Sequence, residues 1–75
     1  MGTERQLVTR QTFTCFIEDR RYSVPTLRFL EADGDPGSLR ELVRRELLAS
    51  ENHQAIEVCT EGGQVVLREV QETRP

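Results

Sequence analysis

A chain of 75 residues has room for one domain and a thin core: folding at this size removes only about 60% of the unfolded surface, and a partner, metal or disulfide is the usual supplement. Its 36% hydrophobic and 31% charged residues suit a folding domain, whereas a net charge of −3 and a pI near 5.1 argue against a dedicated nucleic-acid binder, whose footprint is strongly positive. All ten basic residues are arginine, which reads as the coding bias of a GC-rich, bacterial genome before it reads as a choice of planar bidentate donors.

Met1 to Arg10 contains no apolar signal-peptide core, and no stretch approaches the ~20 apolar residues that span a bilayer. A cytoplasmic protein with no membrane segment is expected. Met1-Gly2 opens like a myristoylation site, but Gln6 stands where Ser or Thr is required. Residues 1–11 are polar apart from Leu7 and Val8 and read as a flexible arm ahead of a single α+β domain over 12–70.

From Thr12 to Glu18 the chain alternates, with Phe13, Cys15 and Ile17 on one side and Thr14, Phe16 and Glu18 on the other, which predicts a first strand. Asp19, Arg20 and Arg21 form a turn, and Tyr22 to Ala32 is the second strand. Its apolar parity shifts around Pro25, a residue that cannot donate to a ladder, so this strand is assigned to a sheet edge.

Asp33 to Gly37 is a loop, and Ser38 to Ser50 is the predicted helix, opened by a capping box of Ser38 and Glu41. Leu39, Leu42, Val43 and Leu47 share its apolar stripe; Arg40, Glu41, Arg44 and Arg45 face away. Asn52, in a left-handed conformation, is expected to close it. Glu46 falls inside the stripe and Leu48 nearly opposite it. Glu46 is therefore either a carboxylate reaching past the edge of the core or one half of an ion pair.

Ala55 to Thr60 and Val65 to Val70 read as strands three and four, joined at Gly62-Gly63 by a two-residue turn with positive φ. That register sets Glu57 opposite Arg68, Val58 opposite Leu67 and Cys59 opposite Val66. Ile56, Val58, Val65 and Leu67 then lie under the helix. Residues 71–75 form a polar tail.

The predicted fold class is α+β: ββαββ, a four-stranded sheet with one helix packed on one face. The apolar run in strand four favours it beside strand one, in the β-grasp-like order 2-1-4-3. Over Thr12 to Val70 the chain is similar to ubiquitin-like proteins in element order and length, but it shares no motif with them. It ends Thr73-Arg74-Pro75 where they carry Gly-Gly, so no conjugation or sulfur-carrier role is carried over.

Chemistry is sparse. His53 is the single histidine, placed just past the helix end as a structural or solvent-facing residue. Cys15 and Cys59 fit no metal or redox spacing and are expected to be buried free thiols. The glycines follow no phosphate-binding pattern. No catalytic set, cofactor or metal site is expected. A non-enzymatic interaction module fits best, because one helix covers only one face of four strands. It would self-associate, as a homodimer, or dock on a protein partner through Phe16, Tyr22, Leu27, Val66, Arg68 and Val70. The alternative is an RNA or small-anion site built from Arg20, Arg21, Arg44 and Arg45, with Phe16 and Tyr22 for stacking. An enzyme ranks third.

Overall fold

A computed structural model of the chain describes residues 10–71. Its elements are β1 (Gln11–Asp19), β2 (Thr26–Ala32), α1 (Pro36–Leu48), β3 (His53–Cys59) and β4 (Val65–Val70). The predicted α+β class and ββαββ order hold. Residues 1–9, with Leu7 and Val8, and residues 72–75 lie outside the described part.

Phe13, Cys15 and Ile17 of β1 and Ile56 and Val58 of β3 pack with Leu39, Val43 and Leu47 of the helix into the core. Phe29, by contrast, faces away from the helix and is 70% exposed. β2 is an edge strand, as Pro25 implied, but it begins at Thr26 and not at Tyr22. The turn is closed by Tyr22 N–H donating to the Asp19 carbonyl (3.0 Å), and residues 22–25 run on as loop. A proline without an N–H cannot extend the ladder backwards.

The sheet order is β2-β1-β3-β4, every pair antiparallel, which corrects the β-grasp-like 2-1-4-3. The reason lies in charge placement. Successive strand residues face opposite sides, so Arg68 and Glu69 of β4 each need water on their own face, and an edge supplies it. β3 has one charge, Glu57, among Ala55, Ile56, Val58 and Cys59, all four buried on one face or the other. It tolerates the interior position that the valines of β4 were expected to take. β2 and β3 consequently run parallel with β1 between them, so the helix crosses as a split β-α-β unit.

The helix starts earlier than Ser38. Asp35 is its N-cap, its Oδ2 accepting the Ser38 N–H at 2.9 Å, and Pro36 occupies the first turn. Asp-Pro outcompetes the internal Ser-Glu box because proline's fixed φ and missing N–H both suit the first helical position. At the other end Ala49, right-handed, is the C-cap, and no residue other than glycine has positive φ among the described residues, so Asn52 does not close the helix. Side chains from beyond the helix satisfy its last carbonyls. His53 Nδ1–H donates to the Glu46 carbonyl (2.9 Å) and Gln71 Nε2–H to the Leu47 and His53 carbonyls (3.1 and 2.7 Å). His53 is thus a structural residue tying the start of β3 to the helix end.

The β3–β4 connection departs from the two-residue turn. Gly63 N–H donates to the Thr60 carbonyl (2.9 Å), placing Glu61 and Gly62 at the turn centre, and only Gly63 of the two glycines has positive φ (90°). This is a turn followed by a left-handed glycine, the geometry that introduces a bulge. Glu57 opposes Arg68 and Val58 opposes Leu67 as expected, but Cys59 opposes Val65 and not Val66. The extra residue reverses the two valines. Val65 leaves the helix side and Val66 joins it, lining a crevice with Phe13, Leu39 and Pro36.

Candidate interaction surface

The strand registers define rows of side chains across the face that carries no helix. One row runs Phe29, Thr14, Cys59, Val65; the next runs Leu27, Phe16, Glu57, Arg68; a third runs Glu18, Ala55, Val70. Phe29, Leu27, Val65 and Val70 are between 51% and 70% exposed, and Phe16 is half-buried between its neighbours. Alternation drives all of these to one side of the sheet, and α1 lies on the other. Charge crosses the face in the middle: Arg68 of β4 reaches diagonally over β3 to Glu18 of β1 (3.6 Å), passing between Glu57 and Ala55. The surface is therefore two apolar strips divided by a charged one, with Glu57 half-buried between them.

Of the residues singled out from sequence, Phe16, Leu27, Arg68 and Val70 share this face. Val66 does not, because the bulge turns it to the helix side. Tyr22 sits in the β1–β2 connection, beyond the end of the strands, with the Arg21 guanidinium 5.2 Å above its ring. Phe29 and Val65 belong to the face and were missed. Phe29 was legible from its two-residue spacing to Leu27; Val65 was not, since only the bulge puts it there.

The four arginines of the anion alternative are not assembled into one patch. Asp19, only 5% exposed, accepts from the Arg21 backbone N–H (2.9 Å), Nε–H (3.0 Å) and Nη2–H (2.7 Å). These hydrogen bonds from Arg21 hold the Asp19 carboxyl down at about 2. Arg44 turns toward β4, where Glu69 takes it at 3.9 Å together with Arg40 at 3.1 Å. Arg45 faces the β2 side of the helix, lining a cleft with Arg28. Arg20 is exposed in the turn, its backbone N–H donating to the Asn52 carbonyl (2.8 Å).

Cys15 and Cys59 are both buried free thiols. They sit on adjacent strands but on opposite faces of the sheet, Cys15 paired with Val58 and Cys59 with Thr14, so no disulfide joins them. Burial, and after it the nearby Glu46 carboxylate, pushes the Cys15 thiol up and away from thiolate chemistry. His53 Nε2 lies 4.0 Å from Asp19 Oδ2, but Arg21 already engages that carboxylate. Among the described residues no group of three or more His, Cys, Asp or Glu could hold a metal ion, and no helix is long and apolar enough to cross a membrane.

Compared with known protein families, characterised proteins and solved structures, the chain has no significant match.

Proposed function

We propose that the domain is a non-enzymatic interaction module that pairs with a second copy of itself through the helix-free face of its sheet. The supporting observation is the convergence of Phe29, Leu27, Val65 and Val70, all more than half exposed, on that one face. Exposed apolar strips flanking a charged one suit an apolar patch with polar contacts, as binding surfaces have, and association would supplement the thin core of a 75-residue chain. A second copy suits the face because a two-fold axis parallel to the strands between β1 and β3 lays β2 of one copy over β4 of the other, setting Phe29 against Val65 while all four strands stay in contact. Four strands about 4.8 Å apart and about 20 Å long give a patch near 400 Å², so pairing buries roughly 800 Å² in total, the size of weak interfaces. Micromolar, concentration-dependent dimerisation is the expectation.

Sedimentation velocity from micromolar to millimolar protein tests this. The parent should shift toward dimer with concentration, Phe29→Asp and Val70→Asp should remain monomeric and folded, and Val66→Asp, on the other face, should dimerise like the parent. A parent that stays monomeric throughout refutes self-association. In that case, binding of a defined protein partner that Phe29→Asp abolishes would assign the same face to a heterologous contact.

A further inference from the structure

Two charged residues occupy positions that their own elements reserve for the core. Arg28 has the inward parity of β2, directly opposite Cys15, and Glu46 lies in the apolar stripe of α1 between Val43 and Leu47. They meet across a gap, Arg28 Nη2 to Glu46 Oε2 at 3.8 Å, with side chains 60% and 36% exposed. An exposed pair at that distance contributes little to stability, so the fold does not need it. Positions where local pattern is broken without a gain in stability are where function is expected.

Behind the pair is a cleft. The helix packs chiefly on β3 and β4 and leaves about 220 Å³ against β2, floored by Cys15, Ile17 and Ile56 and walled by Leu30 and Leu42. Arg45, beside Glu46 on the helix, stands at the same mouth and has no acidic partner among the described residues. Two guanidinium groups and one carboxylate leave the mouth with an excess positive charge. An apolar interior under a cationic rim is complementary to an amphiphile with an anionic head.

We propose that this cleft binds a small amphipathic carboxylate. Its apolar body inserts between Leu30 and Leu42, and its carboxylate is received at the mouth by Arg45, with Arg28 as the second donor. An apolar cavity of about 150 Å³ accepts benzene, so a cleft of this volume takes a body of about six to eight carbons. Guanidinium suits the head group because its planar donors match a carboxylate in pairs. Glu46 competes for Arg28, which leaves Arg45 as the principal anion donor. The site opens on the opposite side of the sheet from the pairing face, with Phe29 bordering both.

Methyl NMR titration with octanoate tests the proposal. Saturable shifts are expected at Leu30, Leu42, Ile17 and Ile56, with Val65 and Val70 on the far face unmoved. Octylammonium and octanol should bind at least about tenfold more weakly, and Arg45→Glu, on the exposed side of the helix, should weaken octanoate by a similar factor, as expected when a charge-assisted contact is lost. Leu42→Trp, which fills the cleft, should abolish binding. No saturable shift at millimolar octanoate, shifts confined to Val65 and Val70, equal binding of octylammonium, or unchanged octanoate affinity in Arg45→Glu would each overturn it.

Discussion

Asp19 shows how a single residue couples turn, sheet and pH. It ends β1, is buried, and is surrounded by three N–H donors of Arg21, with His53 close by. Its carboxyl is held at about 2 against an ordinary 3.8, so the folded state favours the ionised form. The stabilisation is fully present above the unfolded value near 3.8 and is lost as pH falls toward 2. Asp19→Asn should therefore lower stability at neutral pH and flatten the loss of melting temperature between pH 4 and 2; an acid limb as steep as the parent's would contradict this assignment. Glu46 carries the opposite expectation. Its pair with Arg28 is long and open to water, whereas a leucine there would cap the cleft with apolar surface, so Glu46→Leu should raise stability by about 0.5–1 kcal/mol in a denaturant titration. A loss of that size would show that the ion pair matters to the fold.

At the scale of elements, the β3–β4 connection decides which valine faces which side. A two-residue turn centred on the two glycines would need positive φ at Gly62, but Gly63 has it instead, and a Cβ added there would meet no atom within 4 Å. Gly63→Ala should then cost about 1–2 kcal/mol through backbone conformation alone. Gly62→Ala, whose nearest neighbour is Thr60 Oγ1 at 3.8 Å, should be nearly neutral. Equal losses at both positions, measured by thermal or urea unfolding, would point back to the two-residue turn and return Val66 to the helix-free face. The helix shows the same dependence on a few atoms. Its start is set by Asp35 and Pro36, and its end by side chains of His53 and Gln71 that come from outside it.

For the molecule as a whole, the order β2-β1-β3-β4 predicts a gradient of local stability. β1 and β3 are hydrogen-bonded on both sides and carry the core residues Ile17, Ile56 and Val58, each 2% exposed or less. Their amides should exchange slowest in hydrogen–deuterium exchange, and those on the free sides of β2 and β4 fastest. Protection greater in β4 than in β3 would restore the β-grasp-like arrangement. The one-sided helix divides the sheet into unequal surfaces: a core with a narrow opening beside β2, and a broad face left to solvent or a second copy.

Local chemistry made much of this readable from sequence. The period of two in β1, the 3.6-residue stripe of Leu39, Val43 and Leu47, the proline that kept β2 at an edge and the cysteines without metal spacing each report a requirement met within a few residues. What sequence alone left open was relational. Whether β3 or β4 lies beside β1 depends on where Arg68 and Glu69 both reach water, and whether Val65 or Val66 faces the helix depends on one bulge residue. The meeting of Arg28 with Glu46 joins positions on a strand and a helix that no local period connects. Side-chain direction along an element follows from its own backbone geometry, but neighbours across the sheet are chosen by competition for burial among all its strands, and that competition is settled only when the chain is folded.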